Sequence, residues 1–120
     1  PSAFDVVVTE NMFGDILSDL AAGLIGGLGL APGGNIGTHA AVFEAVHGSA
    51  PDIAGKGVAN PAALILAGAM MLDHVGEVEA GNRVRAAVAR VIEQDQVRTR
   101  DLGGTATTME FGDAVVRRIA

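Results

Sequence analysis

Residues 41–61 read AVFEAVHGSAPDIAGKGVANP, and this stretch predicts a strand, a long loop and a helix, in that order. Its first six residues are mostly apolar, as in a buried strand. The loop that follows, from His47 to Asn60, is rich in glycine. Asn60 is a preferred helix N-cap, and Pro61 suits the first position of a helix. A strand that leads through a loop into a helix indicates an α/β architecture.

Upstream of this stretch, the sequence predicts a further strand and a helix. Residues 4–9 form a β-branched run typical of a buried strand. Asn11 is expected to cap a helix at residues 12–25. The apolar side chains of that helix recur at helical spacing and are Phe13, Ile16, Leu17, Leu20 and Leu24. Glycine-rich sequence at residues 23–37 predicts loops around a short strand at Leu28–Leu30.

Three helices are predicted downstream. The first begins at Asn60-Pro61 and stops near Gly76, and its apolar stripe consists of Leu64, Gly68, Met71, Leu72 and Val75. The second covers about residues 77–94, and its inward side chains are Val84, Val88, Val91 and Ile92. Thr107 and Glu110 have capping-box spacing before a last helix that carries Phe111, Val115 and Ile119.

These helices outnumber the two or three predicted strands. We therefore expect the sheet to continue in sequence outside this chain. On this interpretation, residues 1–120 are a partial single domain.

The composition restricts the possible classes of function. Hydrophobic residues make up 49% of the chain and charged residues 18%, which favours an ordered globular domain. The net charge of −6 disfavours nucleic-acid binding through a basic surface and suits a metal cation better. The absence of cysteine excludes disulfides and cysteine-based zinc sites. No apolar run has the length of a membrane span, and no signal-peptide pattern opens the chain, so a cytoplasmic protein is expected.

Asp15 and Asp19 are four positions apart in the first predicted helix, so their side chains leave the same side of it. Like charges at this spacing repel by about 0.3 kcal/mol, and a divalent cation would turn that cost into a gain. Carboxylate oxygens suit Mg²⁺ or Mn²⁺. Alternatively, the pair lies on a solvated helix face near the N-terminus, where the helix dipole favours acidic residues. The spacing alone favours the solvated pair.

The loop at residues 47–60 is a candidate nucleotide-binding loop, because its small residues let a ligand approach the backbone closely. Asp52 could accept both hydroxyls of a ribose, and its charge would repel a 2′-phosphate. His47 and Asn60 could contact an adenine ring by stacking or hydrogen bonding. Alternatively, the loop is an ordered connection with glycines at positive φ and with Asn60 as a helix cap, which is favoured on composition alone.

Three segments together resemble the β-decarboxylating dehydrogenases, a family that includes isocitrate, 3-isopropylmalate, homoisocitrate and tartrate dehydrogenases. The segments are NMFGDILSDL at residues 11–20, GLAPGGNIG at residues 29–37 and FEAVHGSAPDIAG at residues 43–55, and the similarity extends to DLGGT at residues 101–105. Three long motifs in this order favour the metal and nucleotide interpretations over the structural ones. The resemblance implies the C-terminal part of the large domain of this α/β fold, with an incomplete sheet flanked by helices and without the upstream segment and small domain.

The resemblance also assigns roles to individual residues. It implies that Asp15 and Asp19 ligate Mg²⁺ or Mn²⁺. It implies that residues 47–60 form the loop that binds the adenosine side of the cofactor, and that Glu44 lies near the nicotinamide. The cofactor-binding residues that it implies are His47, Gly48, Ser49, Ala50, Asp52, Ile53, Asn60 and Glu44. Family members that use NADP carry a Lys-Tyr pair where this chain has Asp52-Ile53, and this chain has no tyrosine, so the implied cofactor is NAD.

The implied reaction is the oxidation of a malate-type 2-hydroxy tricarboxylate or dicarboxylate by NAD⁺, followed by metal-assisted loss of the β-carboxylate as CO₂. The substrate arginines, the catalytic tyrosine and lysine, and a third metal aspartate belong to upstream sequence in the family. We therefore expect no catalytic residue in this chain and no activity from the chain alone. The resemblance further implies a homodimer or larger assembly for full-length members.

The choice of substrate depends on a few positions. Ala45 and residues 35–37 favour an isocitrate or homoisocitrate dehydrogenase, because isopropylmalate enzymes more often have proline at position 45. Isocitrate is the favoured substrate, which corresponds to a reaction of the tricarboxylic acid cycle, and 3-isopropylmalate, homoisocitrate and tartrate stay open. A different class of function also stays open, namely a non-catalytic module for nucleotide and metal binding or for assembly.

Overall fold

The computed structural model describes residues 3–120, which form four α-helices and one β-hairpin. The helices are α1 (Asn11–Leu24), α2 (Ala62–His74), α3 (Val78–Glu93) and α4 (Thr108–Ile119), and the strands are β1 (Pro32–Ile36) and β2 (Ala41–Ala45). Short 3₁₀ turns lie at Leu28–Leu30, Pro51–Ile53 and Arg100–Leu102. None of the helices in residues 3–120 is long and apolar enough to cross a membrane.

The sheet consists of β1 and β2, which pair antiparallel from Pro32 opposite Ala45 to Ile36 opposite Ala41. The strand predicted at residues 41–46 is therefore confirmed as β2. The strand predicted at Leu28–Leu30 is wrong, because that segment is a 3₁₀ turn. β1 was not predicted, because its Gly-Gly pair has little intrinsic strand propensity and pairs only because β2 supplies the hydrogen-bond partners.

The strand predicted at residues 4–9 is also wrong. This segment has no regular structure, and the side chains of Val6 and Val8 are 79% and 90% exposed. A strand needs a neighbour to pair its backbone N–H and C=O groups, and no segment of residues 3–120 pairs with it.

Helix α1 is amphipathic, yet its apolar face is exposed. The helix begins at Asn11, and Glu10 is the N-cap, so the prediction of Asn11 as the cap is wrong by one residue. Its five apolar stripe residues, from Phe13 to Leu24, are each about half exposed or more. The helix contacts the turn at Leu28–Leu30, whereas the main core lies elsewhere.

The core is formed by α2, α3 and α4, and α2 also packs against the hairpin. The buried members of the core cluster are Ala62, Ala87, Val88, Val91, Phe111, Ala114 and Val115. The predicted inward faces of α3 and α4 are thereby confirmed at Val88, Val91, Phe111 and Val115. Four helices and a small sheet, joined by loops, agree with the predicted α/β fold class.

The predicted stripe of α2 is wrong. Leu64, Met71 and Val75 are exposed, and the buried residues of this helix are Ala62, Ala63, Ala67 and Ala69. Because α2 is apolar on nearly all sides, hydrophobic periodicity does not identify its inner face. Its small alanine side chains let neighbouring elements pack closely against it.

Candidate functional site

The segment from His47 to Asn60 connects β2 to α2 and is the candidate cofactor loop. Its chain direction is set by three residues at positive φ: Ala50 at 43°, Gly55 at 74° and Gly57 at 64°. Such a φ is uncommon for a residue with a Cβ, so Ala50 marks a locally strained turn just before the 3₁₀ turn that carries Asp52.

The predicted cofactor residues at the start of this loop are accessible. His47, Gly48, Ser49, Ala50, Asp52 and Ile53 are all exposed. The Nδ1 atom of His47 lies 2.9 Å from the carbonyl oxygen of Gly48, which holds the ring close to the backbone. A Cβ added at Gly48, Gly55 or Gly57 would meet no atom within 4 Å, so the backbone is open to a ligand at all three positions. An exposed carboxylate beside open glycine backbone fits the adenosine part of a dinucleotide.

Asn60 lies at the end of the loop and is 8% exposed. Its Oδ1 accepts a hydrogen bond of 2.9 Å from the backbone N–H of Ala62, and its Nδ2 donates one of 2.8 Å to Oδ2 of Asp101. The prediction of Asn60 as the N-cap is wrong by one residue, because α2 begins at Ala62 and Pro61 is its N-cap. The Asn60 side chain nevertheless accepts a hydrogen bond from the first backbone N–H of the helix. Contact between Asn60 and an adenine ring stays a prediction.

Asp101 joins this site from a distant part of the chain. Its Oδ1 accepts a hydrogen bond of 2.5 Å from the hydroxyl of Thr99, a fully buried residue. A Cβ added at Gly29 would lie 2.9 Å from Oδ2 of Asp101 and 3.2 Å from the Cβ of Asn60. The turn that follows α1 therefore lies against the Asn60–Asp101 pair.

Sequence reasoning gave Asp101 no role of its own. It is 41 positions from Asn60, and local spacing carries no signal for such a contact. The only signal was the place of Asp101 at the start of the DLGGT motif.

The start of α4 holds the same end of the loop. The backbone N–H of Thr108 donates to the carbonyl oxygen of Gly57 over 2.8 Å, and its hydroxyl donates to the carbonyl oxygen of Ala59 over 2.5 Å. The predicted capping box is confirmed, because Thr107 and Glu110 exchange side-chain and backbone hydrogen bonds. The backbone N–H and hydroxyl of Thr107 lower the pKa of the Glu110 carboxyl below its ordinary value.

Asp15 and Asp19 are both exposed on α1, one turn apart. The hydroxyl of Ser18 donates to the backbone carbonyl of Asp15 and leaves both carboxylates open. Two carboxylates suit a hard divalent cation but supply only part of the roughly six oxygen ligands that Mg²⁺ takes. Residues 3–120 hold no group of three or more His, Cys, Asp or Glu side chains placed to bind a metal. The donor chemistry thus fits part of a metal site, and metal binding by the pair stays a prediction.

Glu44 lies on β2, three positions before His47. Its Oε1 accepts a hydrogen bond of 3.0 Å from Nδ2 of Asn35 on the neighbouring strand, and the side chain is exposed. This bond orients the carboxylate across the hairpin. Its predicted position near a nicotinamide has no further support from the contacts of the hairpin.

Comparison with known proteins identifies the chain's relatives. The sequence model for isocitrate/isopropylmalate dehydrogenase matches residues 1–115. An isocitrate/homoisocitrate dehydrogenase of Thermus thermophilus is 66% identical over 119 residues, which are 99% of this chain and 35% of that protein. The mitochondrial isocitrate dehydrogenase [NAD] subunit alpha of Homo sapiens is 53% identical over 120 residues, which cover 99% of this chain and 33% of that subunit.

A solved structure agrees with this result. The crystal structure of isocitrate dehydrogenase from Methylococcus capsulatus matches with a TM-score of 0.92 and 61% identity, over 99% of this chain and 36% of that one. The chain thus spans about a third of the length of the relatives that it matches. The family's sequence model matches nearly all residues of the chain, and these relatives share more than half of their aligned residues with it. The chain therefore belongs to the isocitrate/isopropylmalate dehydrogenase family.

Proposed function

We propose that this chain forms part of the large domain of an NAD-dependent decarboxylating dehydrogenase and supplies the adenosine side of its cofactor site together with two of its metal ligands. The observation that carries the proposal is the cofactor loop itself. Asp52 is exposed on a turn, open glycine backbone flanks it, and the end of the loop is fixed at Asn60.

In this proposal, Asp52 accepts hydrogen bonds from the two ribose hydroxyls of the adenosine. Its negative charge repels a 2′-phosphate and so favours NAD over NADP. His47 and Asn60 contact the adenine, and the backbone from Gly48 to Ala50 approaches the ribose and phosphates. Glu44 lies toward the nicotinamide end. The name of the human relative, an NAD isocitrate dehydrogenase subunit, supports the choice of cofactor.

Asp15 and Asp19 are proposed to bind Mg²⁺ or Mn²⁺ through their carboxylate oxygens. When bound, the metal would withdraw electrons from the substrate oxygen and NAD⁺ would accept a hydride. The two aspartates orient the cation and neutralise part of its charge. The remaining ligands are proposed to come from other segments, since residues 3–120 hold no group of three acidic or histidine side chains placed to bind a metal. The acid–base groups are likewise proposed to come from other segments, as the family resemblance implies.

Isocitrate is the proposed substrate, which is converted with NAD⁺ to 2-oxoglutarate, CO₂ and NADH. The Thermus relative is named for both isocitrate and homoisocitrate, and homoisocitrate is therefore the second candidate. Ala45 favours these two over isopropylmalate. We further propose a homodimer or larger assembly, in which each subunit contributes an equivalent site.

The proposal can be tested with a chimera in which these 120 residues replace the matching third of the Thermus thermophilus isocitrate/homoisocitrate dehydrogenase, to which they are 66% identical. We expect Mg²⁺-dependent production of NADH from isocitrate. Asp52→Ala in the chimera is expected to raise KM for NAD about tenfold, because charge-assisted hydrogen bonds to the ribose are lost. It is also expected to reduce the preference for NAD over NADP.

The control is Asp113→Asn, which removes an exposed carboxylate from α4. It should leave KM for NAD and KM for NADP unchanged. An unchanged KM for NAD after Asp52→Ala would contradict the role of the loop. The 120-residue chain alone should show no turnover of isocitrate, and NADH production by that chain would contradict the assignment of acid–base groups to other segments.

A further inference from the structure

The Asn60–Asp101 contact lies where three separate segments of the chain meet. Asn60 ends the cofactor loop, Asp101 lies on the 3₁₀ turn at Arg100–Leu102, and Gly29 lies on the turn after α1. The contact is partly buried, since Asn60 is 8% exposed and Thr99 is fully buried, while Asp101 itself is exposed. A hydrogen bond to a charged acceptor is stronger than one between neutral groups.

The hydrogen bonds at this point fix which way the Asn60 amide faces. An asparagine amide has one donating end and one accepting end. The N–H of Ala62 can only donate and the Asp101 carboxylate accepts, so Oδ1 must face Ala62 and Nδ2 must face Asp101. The hydroxyl of Thr99 holds the carboxylate from its other oxygen. Thr99 thus holds the Asp101 carboxylate, and the carboxylate holds the Asn60 amide.

We propose that Asp101 is a positioning residue for the cofactor, which acts by holding the Asn60 amide in one orientation and thereby fixing the end of the cofactor loop. This inference rests on the proposed function of that loop. Asp101 need not touch the cofactor, because it acts through Asn60. The hydrogen bonds from Thr108 to Gly57 and Ala59 hold the neighbouring backbone and so also fix the end of the loop.

The geometry separates two substitutions of Asp101. Asp101→Ala leaves Nδ2 of Asn60 and the Thr99 hydroxyl without their shared acceptor. Asp101→Asn keeps the shape, since its Oδ1 can accept from Asn60 while its Nδ2 donates to the Thr99 oxygen. If orientation of Asn60 is what matters, the amide should rescue what the alanine loses.

The experiment uses the chimera and compares Asp101→Ala with Asp101→Asn, with Glu93→Gln on α3 as a control for an exposed carboxylate. Steady-state assays give KM for NAD, KM for isocitrate, the Mn²⁺ requirement and kcat, and competitive inhibition by ADP-ribose reports the adenosine side alone. For Asp101→Ala we expect KM for NAD and the inhibition constant of ADP-ribose to rise about tenfold together. The other three quantities should stay within about twofold, and Asp101→Asn should restore most of the loss.

Parallel changes in KM for isocitrate and in the Mn²⁺ requirement would mean a general structural defect and would overturn the inference. So would an unchanged ADP-ribose inhibition constant in Asp101→Ala, or an Asp101→Asn variant as weak as the alanine variant. If Asp101→Ala does not fold, Thr99→Val removes only the hydroxyl that holds the carboxylate. Thr99→Val is then expected to raise KM for NAD about threefold. An unchanged KM for NAD in this variant would also overturn the inference.

The outcome for Asp52→Ala separates this inference from the proposed function. If Asp52→Ala weakens NAD binding and Asp101→Ala does not, the role of Asp101 is wrong and the loop assignment stands. If neither substitution affects NAD, the proposed function of the loop is itself wrong.

Discussion

Arg85 on α3 binds Asp73 on α2 through both terminal nitrogens of its guanidinium group, each paired with one carboxylate oxygen. The same guanidinium also donates to Oδ1 of Asn82 on its own helix. Asp73 raises the pKa of Arg85 through the hydrogen bond between them. This arrangement brings the end of α2 against the beginning of α3, and the close approach depends on a glycine.

That glycine is Gly81, and the substitution Gly81→Ala is expected to destabilise the chain by about 1–3 kcal/mol. A Cβ at this position would lie 2.9 Å from the carbonyl oxygen of Ala69 and would also collide with Oδ1 of Asp73. The two helices would have to separate and loosen the Asp73–Arg85 pair. Urea unfolding of the 120-residue chain, followed by circular dichroism, measures the change.

The matched control is Gly112→Ala on α4, where a Cβ would meet nothing within 4 Å. Alanine loses less conformational entropy than glycine on helix formation, so this variant should be more stable than the parent by about 0.5–1 kcal/mol. Equal effects of the two substitutions would contradict the close-packing explanation.

Phe111→Ala on α4 is expected to lower the free energy of unfolding by about 3–5 kcal/mol. Phe111 is fully buried between α2, α3 and α4, so its removal leaves a cavity in the core. Phe13→Ala on α1 is the control, because that ring is 52% exposed and should cost less than about 1 kcal/mol in the chain. The urea concentrations at the unfolding midpoints of the two variants are compared. Similar midpoints would contradict the assignment of Phe111, and not Phe13, to the core.

The capping box at α4 makes stability depend on pH. The pKa of Glu110 is lower in the folded chain than its ordinary value, so the folded state favours the charged carboxylate. The resulting stabilisation is fully present above the pKa of the unfolded chain, about 4.3 for glutamate, and is lost as the pH falls through the lower folded-state value. Glu110→Gln should therefore melt at a lower temperature than the parent at pH 7.

The difference in melting temperature between the parent and Glu110→Gln should shrink as the pH falls below about 4.3, because the parent glutamate then becomes neutral. Glu93→Gln removes an exposed carboxylate without breaking a hydrogen bond between described residues and controls for the change in net charge. A difference for Glu110→Gln that stays the same from pH 7 to pH 3 would argue against the charged capping box.

Removal of either proposed metal ligand provides a fourth prediction. In the chimera, Asp15→Asn and Asp19→Asn should each weaken the apparent Mn²⁺ affinity by at least about tenfold, because a neutral amide is a poorer ligand for a hard cation. The affinity is measured as the Mn²⁺ concentration that gives half-maximal NADH formation after treatment with a chelator. Asp113→Asn should leave that concentration unchanged, and an equal effect of Asp113→Asn would point to general electrostatics instead of ligation.

The sequence predicted those elements whose signals are local. The Thr107–Glu110 spacing located the start of α4, and the valines of α3 identified its inner face. Hydrogen bonds within a helix and side chains one turn apart are set by neighbouring residues, so one stretch of sequence carries the whole signal.

Features that depend on distant partners were not predicted. The run at residues 4–9 has the composition of a strand but finds no neighbour within the described chain, whereas glycine-rich β1 becomes a strand because β2 pairs with it. The contact between Asn60 and Asp101 has the same character, since two segments 41 positions apart must meet before it exists. In the candidate site, the pattern identified the exposed loop, and only the fold identified what holds its end.

Helix α1 differs from the other three helices in how its folding is coupled to the rest of the molecule. Its apolar face contributes nothing to the core cluster around Phe111, and it contacts the turn at Leu28–Leu30. Opening of α1 would therefore forfeit little buried surface, while opening of α4 would expose the whole core. In a hydrogen–deuterium exchange experiment on the 120-residue chain, the amide protons of α1 should exchange well before those of α4. The two helices would then open as separate units.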